Sequence, residues 1–225
     1  MGKRALVRFI SGTILVITAA TGGLVLPGCA STGIAIREKF GYAKREQLVD
    51  RVESARDSQD AAKEQFADAL EEFLAVTGAD TGDLEDRYAS LKRAYDRSES
   101  KAETVRDRIR SVERVADALF SEWEQELGQY ESESLRSASR AQLSDTRSQY
   151  DTLIAVMRRA ESRMEPVLRA FSDQVLFLKH NLNARAISSL RTTASGIESD
   201  VATLIEEMNR SIAEADAFIK DMNAG

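Results

Sequence analysis

The chain has 225 residues, of which 30% are charged and 6% aromatic, and it contains only two prolines. Its net charge of −6 disfavours binding to nucleic-acid phosphates, and its single cysteine excludes an internal disulfide and a zinc site built on cysteines. A single histidine is also too little imidazole for most catalytic triads and metal sites. The apolar content of 43% is enough for packed helices, so the composition indicates long helices rather than a disordered chain.

The N-terminus has the three zones of a secretory signal peptide. Lys3, Arg4 and Arg8 form a positive start, and residues 9–26 form an apolar run without charge. Small residues then lead to Cys29, which is the order of zones in a secretory signal.

The motif after the apolar run resembles the lipobox of bacterial lipoproteins. Its four residues are Leu26, Pro27, Gly28 and Cys29. The resemblance implies that a diacylglycerol with fatty chains such as palmitate is attached to the Cys29 thiol and that residues 1–28 are cleaved off. Because cleavage removes three positive charges and no acid, the net charge of the mature chain would go from −6 to −9.

The residues after Cys29 predict where the protein is anchored. Ala30 and Ser31 follow the cysteine where lipoproteins of the inner membrane typically have aspartate, so the resemblance implies the outer membrane, with the chain facing the periplasm. We interpret residues 29–42 as the lipidated cysteine and a short tether. The alternatives are ordinary secretion or an uncleaved anchor, because the apolar run is close to the shortest that spans a bilayer, although its Ser, Thr and Gly residues make it a weak span.

Residues 43–225 are predicted to form one helical coiled-coil domain, since apolar residues recur at alternating three- and four-residue steps. The first helix is predicted over Ala43 to Val76, with Gln59 as the only polar residue of its seam, and residues 77–82 are predicted as a turn in which Asp or Thr can cap the next helix. The remaining seam positions are Leu48, Val52, Ala55, Ala62, Phe66, Ala69, Phe73 and Val76.

The second helix is predicted over Asp83 to Tyr130, and only Ser98 interrupts its seam. At about 1.5 Å per residue such a helix is roughly 70 Å long, which indicates an elongated molecule. A polar stretch, residues 128–139, is predicted as the second turn. The seam positions are Leu84, Tyr88, Leu91, Tyr95, Ala102, Val105, Ile109, Val112, Ala116, Leu119 and Trp123.

The third helix contains Pro166, where we expect a kink or a junction between two helices. Residues 180–183 are predicted as the next connection, and a last helix follows, in which the seam slips by one residue between Met208 and Ile212. The third seam is Leu143, Thr146, Tyr150, Leu153, Met157, Ala160, Met164, Val167, Phe171, Gln174 and Leu178. The last seam is Ala186, Leu190, Ile197, Val201, Leu204, Met208, Ile212, Ala215, Ile219 and Met222.

These patterns predict an all-α fold, an elongated antiparallel coiled coil or a three- to four-helix bundle. A helical hairpin that completes its core by oligomerising is the alternative that the pattern leaves open.

Few residues in the helical part suggest a chemical site. His180 is the only imidazole, and we interpret it as a polar residue beside a turn. Acidic neighbours such as Glu71 with Glu72, or Glu206 with Glu207, point about 100° apart on a helix and are interpreted as solvated surface. The apolar segment 171–182 covers more than one helix face, and we favour its burial inside a bundle over a partner surface.

The segment 175–187, Val-Leu-Phe-Leu-Lys-His-Asn-Leu-Asn-Ala-Arg-Ala-Ile, together with the lipobox and the opening of the first helix, resembles an uncharacterised family of Gram-negative lipoproteins. That family is known as domain of unknown function 2959. The resemblance covers most of the mature chain and implies neither an activity nor site residues.

The sequence therefore predicts a non-enzymatic cell-envelope lipoprotein that acts as a structural or interaction rod. It would hold the membrane through the lipid on Cys29, contact protein partners or itself through its helices, and need no metal, cofactor or nucleic acid. The alternative is a periplasmic binding or chaperone-like module that grips clients between helices. Apolar side chains exposed at the helix tips would favour the binding module, whereas a sealed seam with charged tips would favour the rod.

Overall fold

The computed structural model describes residues 30–78 and 83–224, with side chains from Lys44 onward. It contains four helices, namely α1 (Ala30–Thr77), α2 (Leu84–Leu127), α3 (Glu133–His180) and α4 (Ala184–Ala224). Each helix packs against its neighbours in chain order, and α4 packs against α1.

Hydrogen bonds at both ends of the α1–α4 pair establish that these helices are antiparallel. Arg45 Nη2 donates to the Met222 carbonyl (3.1 Å), and Arg191 Nε donates to the Thr77 carbonyl (2.8 Å). Because short connections join consecutive helices, the architecture is an up-down-up-down four-helix bundle. The all-α prediction is confirmed, and the four helices cover one another's seams within a single chain.

The first helix is longer than the sequence pattern predicted. It begins at Ala30 instead of Ala43, so the backbone of the predicted tether, from Ala30 onward, belongs to α1. Residues 30–42 contain no proline to break a helix, and they have no regular apolar stripe, so the periodicity did not reveal this part of α1. With 48 residues, α1 is about 70 Å long.

The second connection is shorter than predicted. Residues 128–139 were expected to form a turn, but α2 ends at Leu127 and α3 already begins at Glu133. Ser132 caps α3, since its Oγ accepts a hydrogen bond from the Leu135 amide (3.4 Å). The start of α3 lacks an apolar stripe because it is exposed, and for that reason the periodicity did not reveal it.

The connection between α3 and α4 lies where the sequence predicted it. Asn181 Nδ2 donates to the Phe177 carbonyl (2.9 Å) at the end of α3. Asn183 Oδ1 accepts from the amides of Arg185 and Ala186 (3.0 and 3.1 Å) and caps α4. At the first connection, the side chain of Asp83 makes no capping hydrogen bond, and the other predicted capping residues of that turn lie outside the described residues.

Pro166 lies inside α3, and the helix continues through it, so the proline does not mark a junction between two helices. Its side chain is exposed. Solvent can therefore hydrate the carbonyl group that loses its amide partner, and the buried seam continues on the other side of the helix.

The predicted seams form the core. Every seam position of α1 is fully buried, including Gln59, and Phe66, Phe73 and Phe171 are the largest buried side chains. The rings of Phe73 and Phe171 lie 6.3 Å apart and join two helices that face each other across the bundle. Tyr88, Tyr95 and Trp123 of α2 and Gln174 of α3 are only partly buried.

The predicted slip in the last seam is wrong. Ser211 is fully buried, whereas Ile212 is only partly buried. The spacing therefore stays in phase from Met208 through Ser211 to Ala215. A serine can occupy this core position because its hydroxyl donates to Gln59 Oε1 on α1 (2.7 Å).

Candidate functional site

The predicted lipid-attachment residue, Cys29, and the other lipobox residues, Leu26, Pro27 and Gly28, lie outside the described residues. The described residues show which end of the bundle lies next to the proposed attachment and which end lies opposite it. Because α1 begins at Ala30, an attachment at Cys29 would be continuous with the first turn of α1. The connections α1–α2 and α3–α4 lie at the other end of that helix, as the hydrogen bond between Arg191 and Thr77 shows.

The predicted acidic neighbours form part of an ion-paired surface. Glu206 and Glu207 both bind the guanidinium of Arg210, at 3.1 and 3.4 Å. Between α2 and α3, Arg158 forms a bidentate pair with Glu113, which raises the pKa of the guanidinium. Exposed pairs contribute about 0–1 kcal/mol each, so these carboxylates form a solvated surface rather than a catalytic site.

His180 is the last residue of α3, and its side chain is exposed. It follows Lys179, whose positive charge lies at the negative end of the helix dipole. Within the described ranges, no three His, Cys, Asp or Glu residues come together in an arrangement that could hold a metal ion. The position of His180 agrees with a polar residue beside a turn.

A small cleft lies at the end of the bundle near the N-terminus of α1. Arg45, Leu119, Glu122, Trp123 and Glu126 line it, and its volume is about 120 Å³. Pockets for drug-sized ligands typically have about 300–1,000 Å³. The indole Nε1 of Trp123 donates to Ser139 Oγ (2.9 Å) and ties α2 to α3 beside this cleft. The cleft therefore suits a contact between helices better than a ligand.

Of the described helices, none is apolar over a length that could cross a bilayer.

An aromatic cluster joins α2 to α3. The rings of Phe120 and Tyr150 meet edge to face at 5.4 Å, and the guanidinium of Arg147 lies 4.8 Å from the centre of the Phe120 ring. Arg147 also binds Glu124 at 2.6 Å. Burial, and then the negative charge of Glu113, raises the pKa of Tyr150 to about 12.

The raised pKa predicts a loss of stability at high pH. The folded chain keeps the Tyr150 proton up to about pH 12, whereas an unfolded chain releases it near pH 10. The contribution of this group to stability is therefore complete below pH 10 and is lost as the pH rises towards 12. We expect a late step in a tyrosinate absorbance titration, and Tyr150→Phe should abolish that step. Ionisation of all tyrosines in one step near pH 10 would contradict this expectation.

A polar pair lies inside the core between α1 and α4. Gln59 and Ser211 are both fully buried and share the hydrogen bond of 2.7 Å, whereas Gln59 Nε2 has no hydrogen-bond partner. Sequence periodicity identified Gln59 as a polar interruption but did not identify Ser211, because a serine gives no hydrophobic signal.

The apolar segment 171–182 is divided between core and solvent. Phe171 and Leu178 are fully buried. Leu176, Phe177 and Leu182 are 59%, 38% and 41% exposed, and we call these three residues the apolar corner. The expectation that the whole segment is buried is wrong for them, because Leu176 and Phe177 lie outside the buried stripe of α3 and Leu182 lies in the connection after α3.

The charges around the apolar corner are positive. No acid occurs between Asp173 and Glu198, and that stretch contains Lys179, Arg185 and Arg191 in addition to His180. The other connection at the same end of the bundle is acidic instead, since α2 begins with exposed Asp83, Glu85 and Asp86. The end of the bundle farthest from the N-terminus is therefore polarised between its two connections.

Comparison with known proteins supports the family resemblance. A family model described as "Protein of unknown function (DUF2959)" matches residues 34–222 and so confirms the resemblance drawn from the sequence. The match includes all of α2 and α3 and most of α1 and α4. No curated protein and no solved structure matches the chain.

Proposed function

We propose that this chain, which belongs to the DUF2959 family, is a non-enzymatic cell-envelope lipoprotein. The family itself supplies no assigned activity. It would be attached through lipid on Cys29, face the periplasm from the outer membrane, and hold an interaction surface at the far end of a helical rod. The observation that carries the proposal is the geometry of α1, which begins directly after Cys29 and extends about 70 Å to the end of the bundle with the apolar corner.

The sealed core supports a rod. The four seams pack against one another, and the interior positions are filled by side chains such as Phe66, Met157 and Leu204. The sequence also has a signal-peptide layout with its only cysteine at the lipobox position. Two or three acyl chains on that residue would give stable anchoring without a membrane-spanning helix.

A binding module is the second candidate, and the apolar corner favours it. Exposed apolar side chains at a helix tip suit a protein that contacts clients, whereas the apolar seams of the described helices are packed against one another. If clients are bound, the apolar corner is the surface that the structure offers them. This candidate therefore differs from the rod in what the tip contacts rather than in architecture.

The attachment is tested by Cys29→Ala. Without the thiol no diacylglycerol can be added and cleavage does not follow, so we expect the mature, membrane-bound form to disappear. Fractionation and intact-mass measurement of the purified protein check this. The control is Ser31→Ala, which changes a neighbouring residue and should leave the added lipid mass in place. An unmodified Cys29 with an intact N-terminus would reject the proposed lipid attachment.

The rod is tested by crosslinking in intact cells followed by mass spectrometry. We expect crosslinks to envelope components, whether lipid or protein, to concentrate at residues near the apolar corner, with few along the middle of α2 and α3. Crosslinks distributed evenly along all four helices, or none to any envelope component, would reject an interaction rod.

A further inference from the structure

We infer that the apolar corner and the basic residues beside it form a docking tip for an anionic lipid surface. Leu176, Phe177 and Leu182 supply apolar side chains that can enter the boundary between headgroups and acyl chains. Lys179 and Arg185 lie within three residues of these side chains and would meet the phosphates of the headgroups. The inference goes beyond the proposed function, because it concerns the end of the bundle opposite Cys29.

The local charge is the first argument for this partner. The chain as a whole is acidic, yet the stretch between Asp173 and Glu198 contains no acid and carries Lys179, Arg185 and Arg191. A surface with this charge is complementary to an anionic partner and differs from the rest of the rod. The acidic start of α2 at the same end, with Asp83 and Glu85, would be repelled by such a surface. The tip would therefore make contact with its α3–α4 side first.

The size of the apolar corner is the second argument. Three partly exposed side chains present on the order of 300 Å² of apolar surface, whereas a stable protein interface buries about 800 Å² on each partner. A bilayer needs no extended complementary surface, because each side chain inserts separately. Leu182 lies in the connection beyond the last turn of α3, whereas peptide partners are usually held in grooves.

A second copy of the chain fits the apolar corner less well. If two apolar corners met about a two-fold axis, Lys179 and Arg185 of each copy would face the same cations of the other copy. If the basic side met the acidic start of α2 instead, Leu176 and Phe177 would be buried against carboxylates. The first arrangement joins the apolar side chains but brings the cations together. The second pairs the charges but buries the apolar side chains against carboxylates.

The proposal is tested with two populations of vesicles. The full-length protein is reconstituted through its N-terminal anchor into donor vesicles of phosphatidylcholine, and fluorescent acceptor vesicles are made with or without phosphatidylglycerol. We expect the donor vesicles to capture the anionic acceptors and not the neutral ones. Capture should decrease with added salt, because the screening length is about 10 Å at 0.1 M.

Two sets of variants test the named residues. Leu176→Ser with Phe177→Ser and Leu182→Ser should lower capture about tenfold, because the apolar insertion is lost. Lys179→Glu with Arg185→Glu should lower it by a similar factor, and added salt should no longer decrease capture, because the attraction to the headgroups is lost. Because these side chains are exposed, the helical circular dichroism spectrum should remain unchanged.

Matched controls lie elsewhere on the same rod. Leu135 is 59% exposed, as is Leu176, but lies near the start of α3 at the opposite end, so Leu135→Ser should leave capture unchanged. Arg114→Glu with Arg163→Glu makes the same change in net charge on exposed parts of α2 and α3 and should also leave it unchanged. An equal loss in the control and tip variants would overturn the proposal.

The remaining outcomes separate the tip from the anchor. Flotation of the donor vesicles reports whether the chain is attached. If it is not attached, the proposed attachment fails. Direct flotation of the same variants with anionic vesicles then tests whether the tip binds anionic lipid.

A photo-crosslinker at position 177 in cells should give lipid adducts. A discrete protein adduct, together with no capture of anionic vesicles, would overturn the lipid proposal and identify a protein as the partner.

Discussion

Phe171→Ala is expected to lower the free energy of unfolding by about 3–5 kcal/mol, because it removes a large, fully buried ring from the core. The ring of Phe73 lies 6.3 Å away on α1, which is not adjacent to α3 in the bundle. The change therefore removes a contact between α1 and α3 across the centre of the bundle. For a chain of this size the melting temperature should decrease by on the order of 10 °C. Thermal unfolding followed by circular dichroism would measure it.

The matched control lies six residues further along the same helix. Phe177 is 38% exposed, so Phe177→Ala should cost at most about 1 kcal/mol. The two variants should also differ in the vesicle experiment, since Phe177→Ala weakens capture and Phe171→Ala leaves the tip side chains in place. Equal destabilisation by the two changes would mean that α3 has a different orientation in the bundle.

A double-mutant cycle can separate the contact between the two rings from the general loss of packing. Tilted aromatic pairs contribute about 0.5–1.5 kcal/mol beyond their buried area. Phe73→Ala and Phe171→Ala together should therefore cost less than the sum of the single changes by about that amount.

The sequence was sufficient to predict most of the seams because packed helices bury their apolar residues at regular three- and four-residue steps. Residues such as Leu48, Ile109 and Leu204 recur at three- and four-residue steps, and all three are buried. The starts of α1 and α3 could not be predicted in this way. Residues 30–42 and 133–142 are helical without a regular apolar stripe, so only their propensity and the Ser132 cap indicated a helix.

The apolar corner shows a second limit of sequence reasoning. A segment that is apolar on several sides is usually buried on several sides, and this expectation was correct for Phe171 and Leu178. It was wrong for Leu176, Phe177 and Leu182, because the first two lie outside the buried stripe of α3 and Leu182 lies in the connection after it. Hydrophobic content predicts how much free energy a segment would gain by burying its surface. The position in the tertiary structure decides whether a neighbouring helix covers that surface.

The buried pair of Gln59 and Ser211 should respond to substitution in a strongly non-additive way. Ser211→Ala removes the one hydrogen-bond partner of the Gln59 side chain and should cost about 1–3 kcal/mol, since a buried amide is then left unsatisfied. Gln59→Leu with Ser211→Ala replaces both polar groups and should instead leave the free energy of unfolding unchanged or raise it. Chemical denaturation of the single and double variants would measure both effects.

Ser98 provides the control for this pair, because it is an equally buried serine on the seam of α2. Its hydroxyl donates to the Ala94 carbonyl of its own helix (2.9 Å), so Ser98→Ala leaves no side chain of another helix without a partner. The cost of Ser98→Ala should therefore be well below that of Ser211→Ala. Equal costs would mean that the Gln59 amide is satisfied by another group. If the costs differ as expected, the pair resembles buried polar residues in coiled coils, which specify the alignment of helices at the expense of stability.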